Sequence, residues 1–299
     1  MTWLWTVAGA VIIAIGLNEV FHTVLNPTRR GRLSQLVANA IWRLSSGLGR
    51  RGRSVAGPLA MVAVISLWAG LQIVGWTLVY LPHVPSGFAY PPDVQPENSP
   101  YLVEAFYFST VSMSTLGLGD VYPVDPWLRI FAPLQALIGF GLLTASVSWF
   151  IELYPGLGRR RALAMRITLM ERADTARSLP DMDPAAVAAL LDTLAAGLAQ
   201  AHVDLWQNAE SYYFSEDDAD TSLAAKLPHA LLMARVARRS PDLTARNSGE
   251  MLEAGIDDFA RVLRDRLLPR GDGTDEILLE YARRHRQEPA PGRELPEHP

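Results

Sequence analysis

Glycine occupies every second position of the segment Thr115-Leu116-Gly117-Leu118-Gly119-Asp120. A backbone whose successive carbonyls all point toward one axis needs alternate residues in conformations that a Cβ disfavours, and glycine removes that penalty. Four such segments around an axis would stack rings of carbonyl oxygens, together with a ring of Thr115 hydroxyls, in place of the water shell of a dehydrated cation. The spacing therefore predicts a cation-binding site at Thr115, Leu116, Gly117, Leu118 and Gly119.

The residues before this segment predict a short helix that enters a membrane without crossing it. A helix from about Leu102 to Met113 is roughly 18 Å long, against roughly 30 Å of hydrocarbon. Backbone at that depth is tolerated only where protein buries it or where it lines a water-filled cavity. One chain contains one such segment, so a fourfold ring requires a homotetramer.

Three other stretches are long and apolar enough to cross a bilayer as helices: Trp3 to Leu25, Pro58 to Leu81 and Trp127 to Leu153. The 299 residues are 49% hydrophobic and 19% charged, which indicates a mixed membrane and soluble protein. The chain has no cysteine, which excludes disulfides, iron–sulfur clusters and thiol catalysis. We therefore predict an all-α membrane protein with three transmembrane helices, a re-entrant pore helix and filter, and an α-helical cytoplasmic C-terminal domain.

The distribution of arginine predicts the orientation of these spans. Residues 28–53 hold seven arginines and no acid, whereas residues 83–128 hold five acids and neither Lys nor Arg. By the positive-inside rule, the N-terminus faces out and the C-terminal half lies in the cytoplasm. The many arginines and alanines suggest a bacterial coding style, so the predicted location is the bacterial inner (plasma) membrane, with membrane lipid as a partner.

The stretch from Phe106 to Pro123 resembles the pore helix and selectivity filter of bacterial pore-loop potassium channels. The flanking spans resemble the outer and inner helices of that family, so the resemblance covers residues 58–154. It implies passive conduction of K⁺, which would bind at Thr115, Leu116, Gly117 and Leu118, with no enzymatic activity and no cofactor beyond the permeant ion. Leu118 departs from the family, which usually has Tyr or Phe there, and this predicts a weaker brace around the filter.

Other residues of the same region have predicted roles in conduction. Asp120 and Asp125 would give the outer mouth a negative field that concentrates cations. The resemblance implies a gating hinge at Gly139 and Gly141, although glycines also serve close helix packing in lipid. Further along the inner helix, three polar residues are candidates for the cavity and the inner mouth: Thr144, Ser148 and Glu152. Glu152 is equally explained as a solvated residue at the membrane interface.

Two patterns lie near the cytoplasmic face. Residues 33–48 combine helical apolar spacing with flanking arginines, which predicts a helix lying on the inner leaflet, or alternatively a short connector packed on the soluble domain. Glu19 and His22 share a face of the first span, and we expect a local hydrogen bond or a pair that reaches toward the interface.

The C-terminal half reads as helical and acidic. Asp183 and Pro184 predict the start of a helix whose apolar positions follow a heptad-like pattern, which fits an intradomain core or a subunit seam. Further helices are predicted over 222–238, 248–268 and 275–286. The acidic run beginning at Glu216 lacks the glycine and the glutamate of a helix-loop-helix calcium loop, so we expect a solvated loop. No regulatory ligand can be named from the sequence.

The predicted divisions are a first transmembrane helix (1–27), a basic cytoplasmic loop with the interfacial helix (28–56), the pore domain (57–155), the helical cytoplasmic domain (156–286) and a disordered tail (287–299). Nothing in the sequence points to a nucleic-acid partner. Three other functions remain open: a weakly selective monovalent cation channel, a non-conducting sensor or scaffold with channel architecture, and an intramembrane aspartyl protease. The protease would need a second membrane-embedded aspartate, and none of the three spans contains one.

Overall fold

The computed structural model describes residues 2–25, 31–46, 55–92, 98–268 and 273–287. Two compact units are present, the first formed by Met1–Ala40 with Ala60–Ile151 and the second by Ile41–Leu59 with Glu152–Pro299. Within the described residues the secondary structure is helical apart from two short strands, so the predicted all-α class is confirmed. The end of the predicted first transmembrane helix (26–27), parts of the predicted basic loop (28–30 and 47–54) and nearly all of the predicted tail (288–299) lie outside the described residues.

The elements follow each other in this order along the chain: α1 (Thr2–Val20) with a π-helical turn (Phe21–Leu25), α2 (Arg32–Ser46), α3 (Ala56–Tyr80), β1 (Phe88–Ala89), α4 (Tyr101–Met113), β2 (Tyr122–Pro123), α5 (Leu128–Arg172), α6 (Thr175–Ser178), α7 (Pro184–Gln207), α8 (Leu223–Arg238), α9 (Leu243–Arg266) and α10 (Thr274–Arg284). The helices α1, α3 and α5 are long and apolar enough to cross a membrane, as predicted, and so is α7 by length and composition alone. α5 extends well beyond Leu153, where the sequence analysis ended the third span, because the helical pattern continues through Pro155 to Arg172.

In the first unit, α1 packs closely against α3. A Cβ built on Gly9 would stand 2.4 Å from the carbonyl oxygen of Gly75, so the two backbones touch where both helices carry glycine. The buried amide of Gln72 donates a hydrogen bond of 3.0 Å to the carbonyl of Ile13. Small residues at a crossing permit such close packing within a membrane.

The expected local pair of Glu19 and His22 is wrong. The buried Glu19 carboxylate instead accepts hydrogen bonds from the Ser34 backbone N–H and from the Ser34 hydroxyl, both at 3.1 Å. Trp68 on α3 donates to the same hydroxyl at 3.0 Å. Because Ser34 lies in the first turn of α2, the carboxylate satisfies a free N–H at a helix N-terminus, which is favourable for an anion. Ser34 is 15 residues from Glu19 in the sequence, so helical spacing within the first span does not reveal this pair.

The second unit is a bundle of helices in which α9 packs against α7, α8 and α10. Asp183 caps α7 by accepting from the N–H groups of Ala185 and Ala186, which confirms the predicted start. The heptad-like face of α7 is buried within the chain and forms an intradomain core: Val187, Leu191, Leu194, Leu198, Ala201 and Leu205. α9 begins at Leu243, five residues before the predicted start, because Asp242 caps it by accepting from Thr244 and Ala245.

The acidic run is not simply solvated. Glu216 pairs with Arg160 at 3.3 Å and with Arg161 at 2.9 Å, and its side chain is largely buried. Asp220 pairs with Lys226 at 3.5 Å and also with Arg172. The arginines that follow the third span therefore bind the acids of this loop, a pairing that the local pattern of either segment does not reveal.

Candidate functional site

The helix α4 ends immediately before the glycine-rich segment. It has thirteen residues, from Tyr101 to Met113, and is about 20 Å long. The backbone N–H of Thr115 donates to the Ser112 carbonyl at 3.1 Å, and that of Leu116 donates to the Val111 carbonyl at 3.2 Å. The segment is therefore tied back to the last turn of α4, and the position of α4 determines where the segment begins.

Alternate residues of the segment adopt left-handed backbone conformations. The φ angles are 57° at Thr115, 55° at Gly117 and 78° at Gly119, while Leu116 and Leu118 between them are not in that region. No atom lies within 4 Å of the position that a Cβ would take on Gly117 or Gly119. The need for glycine at these positions therefore comes from the backbone conformation and not from crowding.

The segment lies on the surface of the single chain. The side chains of Leu116 and Leu118 are 63% and 57% exposed. Thr115, Gly117 and Gly119 are exposed as well. Hydrogen bonds to α4 hold the start of the segment. The exposed side chains of Leu116 and Leu118 are open to contact by another protein chain.

Asp120 is hydrogen-bonded to the pore helix. Its carboxylate accepts from the hydroxyl of Tyr107, two turns before the end of α4. This hydrogen bond is the main reason why the pKa of Asp120 is lower than that of an ordinary aspartate. Tyr107 had no predicted role, because nothing in its local spacing marks a partner 13 residues away.

Asp125, the second predicted residue of the outer mouth, lies on another part of the loop. Its backbone N–H donates to the Gly87 carbonyl at 3.4 Å, and its own carbonyl accepts from Arg129 at the start of α5. The antiparallel pairing of Phe88 with Pro123 joins the loop before α4 to the loop after the segment. The loop before α4 and the loop after it, which carries Asp120 and Asp125, are thus held together.

A core of aromatic side chains lies behind α4. The ring of Tyr80 contacts those of Phe108 and Phe88 at centroid distances of 5.0 and 6.0 Å, and Phe88 and Phe108 are 4.8 Å apart. These rings join α3, α4 and β1 in one buried cluster. The same region contains a chain of hydrogen bonds through Gln135, which the sequence analysis did not identify.

The two glycines of α5 have different surroundings. A Cβ on Gly139 would meet the carbonyl oxygen of Met113 at 2.0 Å, whereas a Cβ on Gly141 would meet nothing within 4 Å. α5 is helical through both positions. Close packing thus explains Gly139, and a gating hinge at Gly139 and Gly141 stays a prediction.

The polar residues further along α5 are exposed. The Thr144 hydroxyl donates to the Phe140 carbonyl of its own helix at 3.0 Å, and Ser148 follows one turn later. Glu152 belongs to the second unit, where its carboxylate accepts a long hydrogen bond of 3.4 Å from the Asn208 amide. Roles of these three residues at the cavity and inner mouth stay predictions.

The part of the chain that the structure describes contains no group of three or more His, Cys, Asp or Glu side chains that could hold a metal ion. Carbonyl oxygens are the groups that the segment 115–119 presents, and these suit a hard monovalent cation. Such ligands need no titratable side chain.

Residues 63–154 match the family model described as "Ion channel". The uncharacterized membrane protein YdjJ of Bacillus subtilis is 24% identical over 167 residues, which cover 54% of this chain and 48% of that protein. Two-pore potassium channel 5 of Arabidopsis thaliana is 43% identical over 51 residues, which cover 17% of this chain and 12% of that protein. The chain thus spans about half of the first relative and a small part of the second, and no solved structure matches it.

Proposed function

Because residues 63–154 form an ion-channel domain similar to pore-loop potassium channels, we propose that this protein is a homotetrameric channel for passive, K⁺-selective conduction. The filter is the segment from Thr115 to Gly119. The observation that carries the proposal is the alternation of left-handed residues at Thr115, Gly117 and Gly119, directly after a short helix.

The alternating conformation supplies the chemistry. It turns successive carbonyl oxygens toward the same side, so that four copies surround an ion with oxygen ligands in place of water. The carboxyl end of α4 lies just before Thr115 and carries a partial negative charge, which favours a cation in the cavity below the filter. Potassium at Thr115, Leu116, Gly117 and Leu118 follows from this arrangement.

Assembly into four copies follows from the incompleteness of the single chain. One segment supplies one quarter of each carbonyl ring, and its exposed Leu116 and Leu118 need partners. A closed cyclic tetramer places four identical segments around one axis and covers these surfaces. The membrane lipid surrounds the outward faces of α1 and α3.

The charges at the two ends support the proposed topology. Asp120 is negatively charged at neutral pH, as an ordinary aspartate is, and the Tyr107 hydroxyl lowers its pKa further, so it attracts cations to the outer mouth. The arginine-rich connection before α3 is cytoplasmic, the N-terminus is external and the protein lies in the bacterial inner membrane. The second unit then lies in the cytoplasm, where it influences gating through α5, which contributes residues to both units.

A weakly selective monovalent cation channel is the second candidate, and Leu118 favours it. The Leu118 side chain has no polar atom that could hold the filter to α4, and it is mostly exposed in the single chain. A non-conducting scaffold and an aspartyl protease have no observation in their favour. The ion-channel match points away from enzymatic activity.

Potassium flux into liposomes that contain the purified protein tests the proposal, followed by reversal potentials under bi-ionic K⁺ and Na⁺. We expect flux with a clear preference for K⁺. Permeation of Na⁺ nearly as fast as K⁺ would instead establish the weakly selective channel. An absence of flux in correctly assembled tetramers would establish the scaffold.

A further inference from the structure

A chain of hydrogen bonds joins α3, α4 and α5 behind the segment 115–119. The Tyr80 hydroxyl donates to Oε1 of Gln135 at 2.8 Å. Nε2 of Gln135 donates to the carbonyl and to the hydroxyl of Ser109, at 2.9 and 3.0 Å. The Ser109 hydroxyl in turn donates to the Ile73 carbonyl at 2.8 Å. All four residues belong to the first unit.

The hydrogen bonds of this chain are closed to solvent. Tyr80, Ser109 and Gln135 are fully buried, and both ends of the Gln135 amide have partners. A polar side chain inside a membrane-embedded helix bundle is costly unless it is paired, so its presence marks a function more often than simple packing. Apolar residues of the same size would fill this space without any need for partners.

Gln135 acts on the helix that leads into the filter. Ser109 lies one turn before Met113, the last residue of α4, and Thr115 and Leu116 are tied to that last turn by backbone hydrogen bonds. A shift of α4 would therefore move the first carbonyls of the filter. Discrimination between two monovalent cations depends on the position and number of those carbonyls.

We propose that Gln135 is a positioning residue that sets K⁺ selectivity by fixing α4 against α3 and α5. The inference rests on the proposed channel function and names the residue on which the selectivity of its filter depends. Gln135 does not touch the ion. Its amide accepts from the Tyr80 hydroxyl and donates to Ser109, so it holds the pore helix on the side away from the filter. Leu118 of the filter itself has no polar atom that could make such a contact.

The test compares reversal potentials of full-length variants in liposomes. Gln135→Met keeps the size of the side chain and removes every hydrogen bond of the amide, and we expect the K⁺ over Na⁺ permeability ratio to fall about tenfold, because the first carbonyls of the filter then lose their fixed position. Gln135→Glu keeps an acceptor for Tyr80 and, as a neutral buried acid, one donor for Ser109. This variant should retain most of the selectivity.

Gln72→Met is the matched control. Gln72 is also a fully buried amide on a membrane helix, but its Nε2 donates to the Ile13 carbonyl of α1 and not to α4. We expect wild-type selectivity in this variant. An equal loss of selectivity in Gln72→Met and Gln135→Met would overturn the inference, because any buried amide would then have the same effect.

Tyr80→Phe provides a second approach if Gln135→Met does not assemble. It removes only the hydroxyl that binds Oε1 of Gln135, and we expect a smaller fall in the permeability ratio, about threefold. If the wild type is K⁺-selective and Gln135→Met has the same permeability ratio, the positioning role is refuted and the proposed function is not. Where Gln135→Met does not assemble, an unchanged ratio in Tyr80→Phe has the same meaning. A wild-type protein without K⁺ selectivity would refute the proposed function and this inference with it.

Discussion

Gly139 of α5 lies against Met113 of α4 so closely that a Cβ on Gly139 would stand 2.0 Å from the Met113 carbonyl oxygen. One turn earlier on both helices, Gln135 binds Ser109. From the Gln135 contact to the Gly139 contact, both helices proceed by four residues toward their C-termini, so α4 and α5 run parallel and side by side toward Thr115. The inner helix therefore supports the pore helix at its last residue.

Replacement of Gly139 by alanine should displace the end of α4. We expect Gly139→Ala to destabilise the assembled protein by about 1–3 kcal/mol, because a methyl group cannot overlap a carbonyl oxygen. Thermal unfolding in detergent, with the fraction of tetramer measured on gels, checks this. Gly141→Ala is the control, since nothing lies within 4 Å of its Cβ position and alanine favours a helix. Equal stability of the two variants would contradict the close contact.

Replacement of Gly117 by alanine should abolish K⁺ flux and leave assembly intact. The added methyl group meets no neighbour, so the effect comes from the left-handed φ of 55°, which an alanine avoids at a cost of about 1 kcal/mol or more. Flux into liposomes and the oligomeric state are the measurements. Gly70→Ala, at another glycine with open space, should conduct normally. Normal conductance of Gly117→Ala would count directly against the filter assignment.

The pH dependence of conduction should move when Tyr107 is changed. The pKa of Asp120 is lowered mainly by the Tyr107 hydroxyl, so the carboxylate is charged above that lowered pKa and loses its charge only as the pH falls through it. Tyr107→Phe raises this pKa toward that of a free aspartate. We expect the acid-induced decline of inward K⁺ current to begin at a higher pH in the variant. Identical pH profiles would show that Asp120 does not attract ions to the outer mouth.

Two adjacent arginines of α5 should differ sharply in their effect on the second unit. Arg160 is buried and donates to the carbonyls of Ser211 and Phe214, at 2.9 and 2.6 Å, as well as to Glu216. Arg160→Ala removes two buried hydrogen bonds to backbone carbonyls and one of the two arginine partners of Glu216, and we expect a loss of about 3 kcal/mol in the free energy of unfolding. Arg159→Ala removes a half-exposed pair with Asp204 and should cost less than about 1 kcal/mol. Denaturant titration followed by tryptophan fluorescence distinguishes the two.

Deletion of residues 173–299, directly after α5, should change opening or assembly more than ion preference. The filter and its supporting contacts lie wholly within the first unit, so the carbonyl positions do not depend on the deleted helices. Reversal potentials and open probability of the truncated protein are the measurements. A shift in the K⁺ over Na⁺ ratio without a change in gating would contradict this division of roles.

The sequence alone predicted the elements whose signals are local. Apolar runs of sufficient length identified α1, α3 and α5, and glycines two residues apart identified the segment that adopts left-handed angles. Asp183 followed by Pro184 predicted the start of α7. Each of these features depends on one continuous stretch of sequence, because backbone conformation and burial in lipid act along a single helix or turn.

Only the tertiary structure decided which side chains meet. Glu19 binds Ser34 and not His22, Tyr107 binds Asp120, and Gln135 joins Tyr80 to Ser109. The partners are 13 to 55 residues apart, and each pair depends on how the fold brings two distant positions of the chain together. Helical periodicity shows that a face is apolar or polar, but it does not show what lies opposite. Tertiary packing makes that choice, and it brings α3, α4 and α5 together behind the segment 115–119.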